Sequence, residues 1–530
     1  MSYYRDLREY LRILEENDKL IRINAPINKD TELHPLVRLQ YRGLPEKERK
    51  GFFFENVTDS KGRPFSIPVA VACVAGSRSI YALGMKCSPG EINEKWAEAQ
   101  VHPIPPVMVE KGSVQDQVFY REEGGSGLGR FPVPISTPGF DNAPYTTVSN
   151  WITRDPETGI RNVGNYRGQI KAPWRIGCFP ASPPQHIRNH WRKYKAQGLP
   201  LQAALVIGVT PNISFASVAK LPYGLDEIAV AGGIAGEPVE LVRCKTVDLE
   251  VPANAEIVIE GEIPTDELEY EGPFGEFPGY MSKKDLTMFM NIKCITCRKD
   301  PIYEAFISQF PPSESSKIRQ IAAEVVIYKL LKVDKGLEIL DVALHESSGA
   351  WGYCVICMKK NKKEDPQVAF DAIMEKYPFG KVIVIVDDDI DPRDPDAVNW
   401  ALSFRMQPFR DIRIEKAITM SLDHSLVSPY EEETTRVPTV RGKVDAGVLL
   451  IDATRKWPYP PVSLPAKPYM ERALSLWQQL ELPKLSELRR PWFGYPLGYW
   501  SEEFEEEEEL AVKGDYYVTG EKFSRQRKKV

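Results

Sequence analysis

The sequence predicts a mixed α/β protein with a strand-rich, barrel-like middle. Three observations point there. Helical and strand-like runs alternate near the N-terminus. Short β-type segments separated by Gly, Pro and Asn fill the span from about 127 to 300. Helices and strands alternate again after about 315. In chain order, residues 3–18 carry apolar residues at helical spacing and end in a turn. Phe52-Phe-Phe-Glu-Asn56 and Pro68-Val-Ala-Val-Ala-Cys73 read as strands, and Gly76-Ser-Arg78 turns into a further helix. Val101-His-Pro-Ile-Pro-Pro-Val-Met108 reads as a connector. The middle strands are Thr146–Thr153, Leu205–Thr210, Glu256–Gly261 and Met288–Lys293. Later, a helix over 367–377 precedes the buried strand Lys381-Val-Ile-Val-Ile-Val386. No internal repeat is present. The acidic run 502–510 and the basic Arg525-Gln-Arg-Lys-Lys529 read as solvated tails or as helices that pack on a neighbour.

A chain of 530 residues predicts two to four domains, and 42% hydrophobic residues suffice for a large core without staples. A net charge of −6 argues against a general nucleic-acid binder. No apolar run reaches the ~18 residues of a membrane helix, and the N-terminus shows no signal peptide. Eight cysteines in so long a chain do not form a disulfide framework, so the expected compartment is the cytoplasm.

The segment most suggestive of chemistry is Glu271-Gly-Pro-Phe-Gly-Glu276. Pro273 fixes one φ angle, and Gly272 and Gly275 permit unusual ones. Two carboxylates on a rigid corner suit general acid/base work, because one can stay protonated while the other is ionised. The plain alternative is a surface turn with solvated acids. Cys294-x-x-Cys297 and Cys354-x-x-Cys357 imitate a zinc site, but each pair lies inside a strand-like run, where residues three apart face opposite ways. Asp387-Asp-Asp-Ile-Asp391 could hold Mg²⁺ or cap a helix. Gly124-Gly-Ser-Gly-Leu-Gly129 lacks the preceding strand of a nucleotide loop. Asn162, His186 and Glu227 form a mixed O/N set suited to Mn²⁺, Mg²⁺ or Fe²⁺, although spacing alone does not bring them together.

These segments resemble the UbiD family of reversible aromatic and α,β-unsaturated acid (de)carboxylases, which use prenylated FMN. The resemblance runs over about residues 5–460. It rests on Phe52–Val57, Ala75-Gly-Ser-Arg78, Thr153–Arg167, Pro184-Gln-His-Ile187, Cys244–Ala253, Glu271–Glu276 and Val386-Asp-Asp-Asp389. It implies an N-terminal α/β domain (1–125), a split β-barrel of flavin-reductase type that binds the cofactor (126–312), a C-terminal α/β oligomerisation domain (313–485) and a charged extension (486–530).

By the same resemblance, Arg167, Glu271 and Glu276 match a catalytic set, with Glu276 the proton donor and Glu271 the partner of Arg167. Asn162, His186 and Glu227 match divalent-metal ligands. Ala216 and Ser217, with Glu227, match a K⁺ site. Asn165, Tyr166, Arg167, Gln185, His186 and Lys443 match cofactor contacts. An arginine beside the two acids is expected to lower their pKa values and orient an incoming carboxylate. The family also implies a cofactor-supplying flavin prenyltransferase, CO2 as reaction partner and a homo-oligomer from dimer to hexamer. The segment Lys171–Pro180 departs from relatives and leaves open whether the substrate is a free aromatic acid or an aryl-CoA thioester such as phthaloyl-CoA. The alternatives are a partner-dependent or non-catalytic subunit of a larger carboxylase, and a two-carboxylate hydrolase, which leaves Arg167 and the metal set unexplained.

Overall fold

The computed structural model describes residues 2–180, 185–349, 351–377, 380–417, 423–425, 446–485 and 488–529. It has three main sheets. The first is four-stranded, in the order Leu20–Ile23, Gly51–Phe54, Val69–Val71, Tyr303–Ala305. The helix Leu7–Glu16 packs beside it, opened by Asp6, whose carboxylate accepts from the Glu9 amide at 2.9 Å. Leu7, Tyr10, Leu11 and Leu14 form its buried stripe. The last strand of this sheet arrives from far along the chain, so residues 303–305 close the N-terminal region.

The central sheet has ten strands. Its path runs through Arg161–Asn165, Asn150–Arg154, Leu201–Ile207, Ile257–Ile263, Asp285–Cys297, Arg175–Cys178, Gly168–Ala172 and Tyr145–Thr146. Gln117–Tyr120 and Glu269–Glu271 also pair with Asp285–Cys297. The end strands do not pair with each other, so the sheet is not closed into a barrel. The mixed α/β class holds all the same. Apolar clusters cover both faces, one around Trp96, Phe215 and Val206 and the other around Trp151, Ile259 and Met290.

The third sheet, in the order Ile339–Leu344, Tyr353–Met358, Val382–Asp387, Gly447–Asp452, Ile412–Lys416, is parallel at its centre and antiparallel at both edges. Helix Glu314–Tyr328 joins the regions. Ser313 and Ser316 form its capping box. The Glu314 carboxylate accepts from the Ala72, Val74 and Ala75 amides at 2.8–3.0 Å. One turn short of the other end, Glu324 receives Arg78 and Arg393.

The structure settles several motifs as structural. Both cysteine pairs lie inside strands, Asp285–Cys297 and Tyr353–Met358, in different sheets, and all four thiols are buried and free. Asp387 and Asp389 pair with the buried Arg405, and Asp387 also with Arg455. The glycine loop near 127 packs on Pro173, whose carbonyl accepts from Leu128 at 2.7 Å. Among the described residues, no helix is long and apolar enough to cross a membrane.

Candidate active site

Arg167 directly follows the strand Arg161–Asn165 and Tyr166, and directly precedes Gly168–Ala172. Its carbonyl accepts from the Phe179 amide at 3.1 Å, which fixes the backbone between two strands. Glu271 ends the strand Glu269–Glu271, opposite Asp285. The chain then turns through Gly272 at φ +94°, a region that disfavours any side chain; a Cβ there would also sit 2.5 Å from the Lys283 carbonyl. The turn closes where Gly275 bridges Met281 and the Glu276 amide donates to the Tyr280 carbonyl at 3.0 Å. The Asn142 side-chain amide donates to the Gly272 carbonyl at 2.6 Å, and Asp141 accepts from the Gly275 amide at 3.2 Å.

These elements bring together three residues from positions 167, 271 and 276. Arg167 Nε and Nη2 each donate to one Glu271 oxygen at 2.8 Å, a two-pronged pair, while Nη1 donates to Glu276 Oε1. Nη2 also reaches Ser282 Oγ at 3.2 Å, and the guanidinium carbon lies 4.0 Å from the Phe179 ring centre and 4.8 Å from that of Phe274. Burial works against the charge on Arg167, but Glu276 and then Glu271 outweigh it and hold its pKa above the ordinary arginine value. The two acids differ in exposure. The Glu271 side chain is fully buried and both its oxygens are taken by Arg167, whereas Glu276 lines a cleft.

That cleft is bounded by Asn165, Tyr166, Arg167, Gln185, Phe274 and Glu276. Asn165 Nδ2 is buried with no hydrogen-bond partner among the described residues. A Cβ at Gly164 would fall 2.3 Å from the Tyr166 hydroxyl, so only glycine fits the backbone beneath that ring. Next to the cleft residue Gln185, His186 is the first residue of the helix His186–Ala196, and Glu227 is the first of the helix Glu227–Ala235. His186 Nδ1 lies 3.6 Å from Glu227 Oε1, and Glu227 Oε2 accepts from the Val163 amide, next to Asn162, at 3.0 Å. Burial pushes the Glu227 carboxyl up, with the His186 and Val163 hydrogen bonds acting against it. A nearly enclosed carboxylate, an imidazole beside it and a neighbouring amide residue fit a hard divalent cation. The unpartnered Asn165 amide, beside Tyr166 and Gln185 on the cleft wall, fits a planar polar cofactor. Ala216 and Ser217 lie buried in the helix Pro211–Val218, which packs on the Glu227 helix; the Ser217 hydroxyl donates to the Ser214 carbonyl at 2.9 Å. Lys443 lies outside the described residues.

Sequence reasoning missed Asp141, Phe179, Ser282 and Arg319 in this site. Phe179 lies within Lys171–Pro180, and Ser282 follows the Glu271–Glu276 motif by six residues. Asp141 sits in an ordinary-looking turn, and Arg319 in a helix with nothing to mark it.

A polar cleft built on a clamped Glu–Arg–Glu set has the make-up of an acid–base active site. Comparison with known proteins agrees. Residues 11–100, 107–311 and 317–446 match, in turn, the N-terminal, Rift-related and C-terminal domains of 3-octaprenyl-4-hydroxybenzoate carboxy-lyase. The chain belongs to the UbiD family and is a carboxy-lyase. An uncharacterized protein of Aquifex aeolicus is 32% identical over 482 residues, 86% of this chain and 93% of that one. Another, from Synechocystis, is 32% identical over 435 residues, 77% and 84% of the two chains. Among solved structures, an evolved dimeric form of the UbiD-class enzyme HmfF from Pelotomaculum thermopropionicum, in complex with prFMN, superposes with TM-score 0.74 at 30% identity. It covers 87% of this chain and 97% of that one. The closed form of Sedimentibacter hydroxybenzoicus vanillic acid decarboxylase superposes with TM-score 0.75 at 26% identity, covering 91% and 100%.

Proposed function

We propose that this protein catalyses the reversible, non-oxidative decarboxylation of an aromatic acid, with prenylated FMN bound in the cleft and Glu276 as proton donor. The observation that carries this reading is the Arg167 guanidinium clamped between a buried Glu271 and a cleft-lining Glu276. Prenylated FMN, when bound, supplies the electron sink for the pair that departing CO2 leaves behind. Glu271 fixes the plane of Arg167 with two parallel hydrogen bonds, which leaves the Nη1 edge directed toward Glu276 and the cleft. That edge attracts and orients an incoming carboxylate. Glu276, the acid of the pair with access to the cleft, delivers the proton to the carbon that loses CO2 and takes it back in carboxylation. Asn165, Tyr166 and Gln185, which line the cleft, would hold the flavin. Asn162, His186 and Glu227 would hold a divalent cation, Mn²⁺ in the first instance, to offset the charge of the cofactor's phosphate, and Ala216 and Ser217, in the last turn of the helix Pro211–Val218, would with Glu227 border a K⁺ site.

The test is production together with a flavin prenyltransferase, anaerobic purification, and a screen of aromatic acids and their CoA thioesters for exchange with labelled CO2. A flavin spectrum altered from that of FMN and exchange into at least one acid are expected. Protein that holds no flavin phosphate under any anaerobic preparation overturns the reading. Bound cofactor without exchange favours the partner-dependent subunit.

A further inference from the structure

Residues 274–282 form a small hairpin, and its pairing decides which side chains meet Arg167. The Ser282 amide donates to the Phe274 carbonyl at 2.8 Å, Gly275 bridges Met281, and the Glu276 amide donates to the Tyr280 carbonyl at 3.0 Å. Residues directly opposite in an antiparallel pair share a face, as do residues two apart along one strand. Phe274, Glu276 and Ser282 therefore lie on one face of the hairpin, and all three reach Arg167. The Phe274 ring centre is 4.8 Å from the guanidinium carbon, Glu276 Oε1 accepts from Nη1, and Ser282 Oγ accepts from Nη2 at 3.2 Å. Ser282 is buried, and its hydroxyl oxygen also accepts from the Phe274 amide at 3.2 Å. One oxygen thus joins the guanidinium to the base of the hairpin.

A guanidinium has five N–H groups. Arg167 gives Nε–H and one Nη2–H to Glu271, the second Nη2–H to Ser282 and one Nη1–H to Glu276. The fifth, on Nη1, is the one left for an incoming carboxylate. Glu276 stands at the tip of the hairpin, on a turn closed by the Gly279 amide, which donates to the Glu276 carbonyl at 3.0 Å. Asp141 holds the Gly275 amide to the surrounding protein, whereas Ser282 ties the base to the guanidinium itself. Without that hydroxyl, the second Nη2–H is left buried and without its acceptor. Turning the guanidinium or shifting the hairpin relieves the cost, and either movement changes where Nη1 meets Glu276. Ser282 is not among the residues that line the cleft, so it acts through Arg167 and Glu276.

We propose that Ser282 is a positioning residue for proton transfer: its hydroxyl, by accepting from Arg167 and from the Phe274 amide together, sets the placement of Glu276 against the guanidinium from which the acid meets the substrate carbon. It also occupies the second Nη2–H, so that Arg167 offers the cleft a single N–H. This deepens the decarboxylase reading and rests on it.

The test compares Ser282→Ala, Ser282→Cys and Ser282→Thr with the wild type in two ways. Crystal structures should show the Glu276 carboxylate beyond hydrogen-bond distance of Arg167 Nη1, or in more than one position, in the Ala and Cys variants, and in its original place in Ser282→Thr. In the anaerobic holoenzyme, with an acid found by the exchange screen, kcat should fall about 10-fold or more in Ser282→Ala while KM changes by less than about 3-fold. Ser282→Cys, close to serine in shape but a poor acceptor, should fall likewise, and Ser282→Thr should recover most of the rate. If Ser282→Ala does not fold, Ser282→Cys carries the same comparison. An unmoved Glu276 in the Ala and Cys variants, or wild-type kcat in Ser282→Cys, overturns the proposal. So does a loss confined to KM, which would assign the hydroxyl to substrate binding. The crystal structures need neither substrate nor turnover, so failure of the decarboxylase reading is seen separately: a holoenzyme that turns over no acid would sink that reading, and the position of Glu276 would still judge Ser282.

Discussion

At the residue scale, the two glutamates of the motif have been made unlike by their surroundings. Glu271 gives both oxygens to Arg167 in a fully buried pair, and Glu276 keeps a face on the cleft. Their substitutions should therefore fail in different ways. Glu276→Gln should fold normally, keep its flavin and lose about 10²- to 10⁴-fold in CO2 exchange, the range expected for removing a general acid. Glu271→Ala strands a buried guanidinium and should lower the unfolding free energy in urea by about 3–5 kcal/mol. Full exchange in Glu276→Gln would remove it from the proton path. The identity of the two acids was legible in the sequence because Gly-Pro-Phe-Gly between them marks a rigid corner. Their contact with Arg167, more than a hundred residues earlier, came only through the family resemblance, since nothing in local spacing reports which strands become neighbours. Arg319 was invisible for a different reason. One arginine on a mostly buried helix looks like any solvated charge until the cavity it faces is known.

At the scale of elements, the strand texture between 127 and 300 was readable, but its division was not. The run 146–153 breaks into Tyr145–Thr146 and Asn150–Arg154, which lie far apart in the sheet order. Met288–Lys293 is the middle of a 13-residue strand that pairs with several others. Alternation of apolar residues marks a strand, but a break within such a run is set by tertiary pairing. The turn that carries Glu276 is braced from the loop ahead of Tyr145–Thr146 by Asp141, which accepts from the Thr137 amide at 2.6 Å and the Gly275 amide at 3.2 Å. Burial pushes the Asp141 carboxyl up to about 6, although the two amides and Arg167 pull the other way. A folded pKa above the unfolded value of about 3.9 means that the native state holds the extra proton. The stabilising contribution is then complete below pH ~4 and is lost as pH rises through about 6. Asp141→Asn has no such titration. Between pH 4 and 6 the wild-type urea midpoint should therefore fall relative to that of the variant. A difference between the two that stays constant over this window would show that Asp141 does not titrate there.

At the scale of the whole molecule, one helix ties the regions together. Glu314 receives the Ala72, Val74 and Ala75 amides just past the strand Val69–Val71, and Glu324 receives Arg393 from the C-terminal region and Arg78 from the N-terminal one. Burial opposes the charge on Glu324, yet the arginines hold its pKa down to about 2, so this tie persists across the neutral range. The C-terminal end is built differently. The helices Lys467–Gln479, Glu502–Lys513 and Tyr516–Arg525 bury no residue in the single chain. The last two form a hairpin held by Lys522 reaching Glu503 and Glu507 at 2.6 and 3.0 Å, which answers the charge runs seen in the sequence. Their apolar residues are nonetheless left outside, with Tyr517 76% and Val518 57% exposed, alongside Phe504 and Phe523. Amphipathic helices gain most of their stability from burying such a face, so this hairpin needs a surface to lie on. The expectation of a homo-oligomer makes a second copy of the chain the natural one. Tyr517→Glu combined with Val518→Glu removes no buried contact within the chain and should leave its fold and flavin content intact. It should also lower the mass measured by sedimentation equilibrium toward that of one 60.1 kDa chain. An unchanged mass would place the oligomer contact elsewhere and leave the hairpin for another partner.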